Sequence, residues 1–205
     1  EVDAEVPTLE QPVLSEKDLL IGNYAADLVE DGSTIQIGFG SITGAIAQCL
    51  CDKKDLGLHS EMFTDSVLSL YEAGVITNRK KTLWKDKFIT DAALGSRKLY
   101  DFLDENMAVE FHRSSVVNDP TIIARNNKMV SINAALQMDL TGQCCAESIG
   151  MQLFSGTGGH KEFITGAMDA PGGKSIIAFY SSAKDDTISR IVPWFEPGTI
   201  VTTSR

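Results

Sequence analysis

The run STIQIGFGSITGAIAQCL, Ser33 to Leu50, followed after a short turn by LGLHSEMFTDS, Leu56 to Ser66, decides how this chain is read. Ser33 to Ile37 is β-branched in character and ends in Gly38-Phe39-Gly40, and Ile42 to Leu50 then places apolar residues at helical spacing. Leu56 to Phe63 reads as a second strand. A helix over Asp65 to Ala73 follows it, closed by Gly74. Strand, glycine turn, helix and strand in such quick succession predict a parallel sheet with helices packed on it. His59, Ser60 and Glu61 stand at the end of the second strand. Glu61 has three readings there: a charge facing water, a ribose ligand, or a covalent nucleophile.

Upstream, Glu1 to Leu14 holds acidic residues and two prolines and reads as a connector or extended arm. Ser15 is a natural helix N-cap, with Glu16 and Asp18 in the first turn, where they suit the helix dipole. Leu19, Leu20, Tyr24, Leu28 and Val29 recur at helical spacing, and Gly32 is placed to stop the helix. Downstream, Val75 to Leu83, with Arg79, Lys80 and Lys81, reads as a solvated turn or hairpin. Phe88 to Leu94 predicts a strand, Ser96 to Leu103 a helix, and Val109 to Val117 a strand. Asn118-Asp119-Pro120 opens a helical turn, and Met129 to Met138 is a further strand. Beyond Leu140 the segments shorten. A helix over His160 to Met168 and strands over Lys174 to Tyr180, Ile188 to Trp194 and Thr199 to Thr203 complete the chain. The expected fold is α/β, a mainly parallel sheet with helices on both faces in Rossmann-like layers. One domain over 15–205 follows an arm over 1–14.

The 205 residues suffice for one domain with a sizeable core. A formal net charge of −10 argues against nucleic-acid binding, which needs a basic surface for phosphates. It does not exclude a small phosphate-bearing ligand, since a few lysines and backbone N–H groups suffice for one. Cys49, Cys51, Cys144 and Cys145 form no CxxC pair and read as thiols of a reducing compartment, which implies the cytoplasm. No apolar run approaches the roughly 18–20 residues of a membrane span, and the acidic N-terminus lacks a signal peptide's pattern. The chain begins at Glu1 without Met and stops at Arg205 straight after TIVTT, so it reads as one piece of a longer protein. No histidine and carboxylate cluster has metal spacing, so no metal is expected. His160 stands beside a glycine loop, but nothing sets it against a serine or cysteine as a hydrolytic triad needs.

Two glycine sets frame the site question. Gly38-Phe39-Gly40 with Gly44 lies between strand and helix, where backbone N–H groups can face a ligand. Its spacing is GxGxxxG, and Glu61 follows about twenty residues on, where a dinucleotide-binding fold keeps its ribose carboxylate. A non-covalent dinucleotide-binding module is therefore one reading, and a ligand-free tight turn is another. Ser155-Gly156-Thr157-Gly158-Gly159 is the second set. Its glycines imply positive φ angles or close backbone approach, for a turn or for a ligand. Asn118, before Asp-Pro, reads by itself as a turn former or cap.

STIQIGFGSITGAI, LGLHSEMFTDSVLSLYEAGVITNRKK, KMVSINAALQMDLTGQCCAESIG and SGTGGHKEFITGAMDAPGGKSIIA together resemble the C-terminal half of the acetyl-CoA hydrolase/transferase family. Within it the 4-hydroxybutyrate and butyrate–acetate CoA-transferases are the nearest in pattern. The resemblance implies a CoA-transferase-type domain lacking its N-terminal partner domain and working as a homo-oligomer on an acyl-CoA and a short-chain carboxylate. Coenzyme A is substrate there, and no cofactor is implied. Glu61, in HSEM, stands at the position of the family's nucleophilic glutamate. The oxyanion and CoA donors are implied at Gly38, Phe39 and Gly40 of the first loop and at Gly156, Gly158 and Gly159 of the second. Asn118 is implied to support Glu61 or the pantetheine amide. Lys174 is set against the CoA phosphates from its charge and place. Relatives often carry proline where this chain has Thr43, which bears on the first loop's fine geometry. An acyl-CoA hydrolase using the same glutamyl intermediate is the alternative.

Overall fold

The computed structural model describes residues 4–204, so the first three arm residues and Arg205 lie outside it. Helix α1 (Glu16–Ala26) opens on a capping box: Ser15 Oγ accepts the Asp18 N–H and the Asp18 carboxylate accepts the Ser15 N–H at 2.8 Å. It ends at Ala26, so Leu28 and Val29 fall beyond it, and Gly32, at φ +76°, serves the turn that follows. Leu20 and Tyr24 are exposed, while Asp18, Gly22, Ala25 and Ala26 are buried. Close helix approach explains this reversal of the expected face. A Cβ on Gly22 would lie 2.9 Å from both the Ala45 carbonyl oxygen and Cys49 Sγ, so small residues, not large ones, meet helix α2 (Ser41–Cys49).

The central sheet takes β1 (Thr34–Ile37), β2 (Gly57–Leu58), β7 (Met129–Ala134) and β12 (Lys174–Ala178) in the order β12-β7-β1-β2, all parallel. Between β2 and β7 come β3 (Met62–Phe63), α3 (Asp65–Glu72), β4 (Phe88–Thr90), β5 (Ala92–Ala93), α4 (Arg97–Leu103), β6 (Val109–Phe111), α5 (Ser114–Val117) and α6 (Pro120–Ile123). A bridge between His59 and Ile89 carries the sheet on to β4, which pairs parallel with β6. Helices cover both faces. On one, Val130 and Ile132 join Ala25, Ala26, Ile42 and Ile46 in the larger core. On the other, Met129 packs with Ile123 and with Phe163 and Ala167 of α7 (His160–Asp169). The alternation along β7 is that of a strand buried on both sides.

Several expected strands are shorter than they read. Leu56 to Phe63 is broken, because the chain changes partners midway. Leu58 pairs with β1, His59 bridges to Ile89, and Met62 pairs with Ala92 of β5. Phe88 to Leu94 and Met129 to Met138 each divide in two, the latter into β7 and β8 (Gln137–Asp139). Val109 to Val117 is a strand only to Phe111. Its β-branched end coils into α5, which places Val117 in the core beneath α7. Beyond β8 lie β9 (Cys144–Cys145), β10 (Ser148–Ile149), β11 (Gln152–Leu153), β13 (Ser182–Ala183), β14 (Ile188–Ser189) and β15 (Ile191–Val192). They form two short hairpins and a three-stranded sheet in the order β15-β8-β9, and Thr199 to Thr203 reduces to one bridge from Thr203 to Cys144. Among the described residues no helix is long and apolar enough to cross a membrane.

The basic stretch after α3 is not wholly solvated. Lys81 is buried, and its amine donates to the Leu58 and Lys87 carbonyls at 2.7 Å each, pinning β2 to the start of β4. Burial brings its pKa down to about 7. Gly57 makes room for the lysine stem: a Cβ there would lie 2.8 Å from Lys81 Cδ and nearer still to Cγ. Gly57→Ala is therefore expected to lower stability by about 1–3 kcal/mol through overpacking. A urea midpoint equal to that of the unsubstituted protein would show that the stem is not so confined.

Candidate active site

Parallel strands deliver their C-terminal ends to one edge of the sheet, and the turns that follow β1 and β2 meet there. The Gly38 N–H donates to the Ile132 carbonyl at 2.9 Å, and a Cβ on it would stand 3.4 Å from that oxygen and from Asn133 Oδ1. Gly40, at φ +131°, is the N-cap of α2 and needs glycine. Phe39 between them is about half exposed. A cavity of about 330 Å³ lies against this turn, lined also by Thr64, Ser66 and arm residues Leu9 to Pro12. Glu61 does not line it. Its link to the first loop is indirect, through the Ser60 hydroxyl, which donates to the Ile37 carbonyl at 3.4 Å.

Glu61 sits where the chain crosses from β2 to β3, and its main chain is tightly held. Its carbonyl accepts the Thr90 hydroxyl at 2.9 Å and the Asp91 and Ala92 N–H groups at 3.2 and 3.0 Å. Its half-buried carboxylate turns to the second glycine set: Oε2 accepts the Gly159 N–H at 2.6 Å. Gly159 is the N-cap of α7, so the carboxylate meets the positive end of a helix. A Cβ on Gly159 would collide with Oε2 and stand 2.6 Å from Asn118 Nδ2, which places the Asn118 amide beside the carboxylate. A Cβ on Gly158, at φ +51°, would stand 3.6 Å from Oε1, whereas Gly156 has open space around it. Burial raises the Glu61 pKa. The Gly159 N–H opposes that shift, the Asp91 charge adds to it, the Asn118 amide opposes it, and the Glu162 charge adds to it.

The structure thus brings Glu61, Asn118, Gly158 and Gly159 together. It keeps the first loop at one remove and leaves Gly156 in the open. Glu61 faces the second loop rather than the first, which is the wrong way for a ribose ligand. Lys174 is not near these residues. It begins β12 at the opposite edge of the sheet, where its amine donates to the Leu28 carbonyl at 3.0 Å and to Glu30 at 2.9 Å. Asp91 was not among the expected site residues. Its signal was the same as that of Glu61, a carboxylate just past an apolar strand, Phe88 to Thr90. His59 is fully buried, donating from Nε2 to the Val117 carbonyl at 2.8 Å, and burial lowers its pKa to about 4. It is no base for this site. Among the described residues no group of three or more His, Cys, Asp and Glu is placed to hold a metal ion.

Residues 95–205 match the family model described as the acetyl-CoA hydrolase/transferase C-terminal domain, a span that holds Asn118 and the second glycine loop and begins after Glu61. Glu61 falls within a match over the whole chain to the 4-hydroxybutyrate coenzyme A transferase of Clostridium kluyveri, 47% identical and covering 48% of that protein. The solved structure of RipA from Yersinia pestis superposes with a TM-score of 0.87 at 39% identity, covering 95% of this chain and 45% of that one. A 4-hydroxybutyrate CoA-transferase from Porphyromonas gingivalis gives 0.83 at 40% identity, with 96% and 47% covered. The chain spans about half the length of these relatives.

Proposed function

The chain belongs to the acetyl-CoA hydrolase/transferase family, and from that premise we propose that the whole protein is a CoA-transferase in which Glu61 is the nucleophile. It exchanges CoA between an acyl-CoA of the 4-hydroxybutyryl, butyryl or acetyl kind and a short-chain carboxylate. The observation that carries this reading is the half-buried Glu61 carboxylate on the Gly159 N–H, with the Asn118 amide beside it. The relatives named as transferases supply the substrate class.

In this reading the two carboxylate oxygens do different work. Oε2 is engaged by Gly159, so Oε1 attacks the thioester carbonyl. The C–S bond breaks, giving an acyl-glutamyl anhydride and CoA thiolate. The thiolate then attacks the glutamyl carbonyl and displaces the first carboxylate, leaving a glutamyl-CoA thioester. In that step negative charge gathers on Oε2, where the Gly159 N–H already points. Such a preorganised donor is worth about 2.7–4 kcal/mol. A second carboxylate attacks the thioester, thiolate leaves, and thiolate attack on the new acyl group returns acyl-CoA and free Glu61. Thioester and anhydride are both activated acyl groups, so the route asks for no metal or further cofactor. Covalent capture splits one hard exchange into easier ones. Phe39, Met151, Leu153 and Phe154 are exposed on and near the two glycine loops and suit a closing surface from the other half of a longer protein.

Incubation of the full-length protein with acyl-CoA, followed by intact mass and digestion, tests the proposal. A CoA adduct on the peptide containing Glu61 supports it, and transfer with Glu61 unmodified overturns it. Release of free CoA without an acceptor would favour the hydrolase alternative. Only ionised Glu61 can attack, so kcat/KM for acyl-CoA is expected to fall about tenfold per pH unit below the Glu61 pKa. Because burial and Asp91 raise that pKa, the decline begins at higher pH than for an ordinary glutamate. Asp91→Asn removes a negative charge and is expected to move this acid limb to lower pH. A limb that stays put would remove Asp91 from the site.

A further inference from the structure

We propose that His59 is a positioning residue for this reaction, holding the Asn118 amide against Glu61 through the Val117 carbonyl. The inference rests on the assignment of Glu61 as nucleophile. A carbonyl oxygen only accepts, so the 2.8 Å contact from Nε2 to the Val117 oxygen places the proton on Nε2. Nδ1 is then an acceptor, and it takes the Asn126 amide N–H at 3.2 Å. The same amide donates to the Ile123 carbonyl at 3.3 Å, which ties the ring to α6 as well. Both ring nitrogens are thus occupied and the tautomer is fixed. The ring is wedged between Trp84 and Phe163, at centroid distances of 5.7 and 6.0 Å. Its root is fixed too, since the His59 N–H donates to the Ile35 carbonyl at 3.1 Å inside the sheet.

Asn118 needs such an anchor. It caps α5, a helix of 4 residues with no side-chain cap, and so short a helix has little stability of its own. Among the described residues its buried Oδ1 has no hydrogen-bond partner. The amide's direction therefore follows the main chain at Val117 and Asn118. His59 is two residues before Glu61, so one side chain joins the nucleophile's strand to the turn that carries its neighbour.

The test is steady-state kinetics of full-length His59→Gln, His59→Asn, His59→Leu, Asn118→Ala and the His59→Leu/Asn118→Ala double variant, with melting followed in parallel. Glutamine keeps an N–H near the Nε2 position, and asparagine is too short to reach Val117. His59→Leu and His59→Asn are expected to lower kcat by roughly ten- to a hundredfold with little change in the acyl-CoA KM, as misplacement of a site group does. His59→Gln is expected to recover most of the loss. In the Asn118→Ala background the His59→Leu change is expected to cost about twofold or less, since neighbours acting through one contact are not additive. An equal loss in both backgrounds, or equal kcat for the Gln and Asn variants, overturns the proposal. If His59→Leu does not fold, the Gln and Asn pair decides alone. Unsubstituted protein that forms the Glu61 adduct while these variants fail the pattern sinks only the role of His59. Unsubstituted protein that transfers CoA without that adduct sinks the nucleophile assignment as well.

Discussion

Glu61→Gln in the full-length protein is expected to lose CoA transfer by at least about a thousandfold, because removal of the proposed covalent nucleophile leaves only binding and oxyanion stabilisation. Glu61→Asp keeps the charge but draws it back, and a shift near 1 Å is expected to cost about a hundredfold. Neither loss comes from unfolding. The Glu61 pKa is raised in the fold, first by burial. The sign follows: a carboxylate raised above its unfolded value penalises the native state above the folded pKa, and the penalty is relieved as pH falls. At neutral pH the ionised side chain therefore costs stability. Glutamine keeps an oxygen for the Gly159 N–H, so Glu61→Gln is expected to melt no lower than the unsubstituted protein. Transfer retained within tenfold in Glu61→Gln would remove the nucleophile from the mechanism. A strongly lowered melting temperature would mean that the carboxylate is structural.

The layering was legible from Ser33 to Ser66, because period and punctuation there are local signals. The structure keeps β1, the glycine turn, α2 and α3 within a residue or two of their expected spans. What failed to show was partner exchange. Leu56 and Leu58 before His59-Ser60-Glu61, and Met62 and Phe63 after it, read as one strand, yet its neighbours change at His59, and that change creates the niche for Glu61. Long-range placement was equally silent. Lys174 carries the right charge for a phosphate, but strand direction puts it at the far edge of the sheet beside Glu30. Lys81 sat in a run of basic residues that looked solvated, and only the fold shows its amine bridging two strands. His59 was visible as a residue and not as a contact, since Val117 and Asn126 lie far along the chain.

Gly159→Ala is the other substitution expected to have a large effect, and its neighbours supply the controls. Gly159 has φ −93° and ψ 13°, a conformation alanine adopts without strain, so the loop itself has no reason to change. The added methyl would, however, overlap Glu61 Oε2 and lie 2.6 Å from Asn118 Nδ2. The main chain on either side is held, Glu61 by three hydrogen bonds to its carbonyl and Asn118 directly after Val117, whose carbonyl His59 holds, so it is the side chains that must turn away. The carboxylate must leave the Gly159 N–H, the donor that the proposed mechanism gives the oxyanion, and kcat is expected to fall by about a hundred- to a thousandfold, the scale of losing one such donor. Gly158→Ala places its methyl 3.6 Å from Oε1, an ordinary contact, but must hold φ +51°. It is expected to lower stability by roughly 1 kcal/mol and to leave most of the activity. Gly156→Ala meets open space and is expected to be silent in both. The order of kcat losses, Gly159 far above Gly158 and Gly158 above Gly156, is what the placement of Glu61 requires. Equal losses at all three would mean that the loop acts through flexibility instead of through one N–H. A silent Gly159→Ala would mean that the carboxylate works from another position.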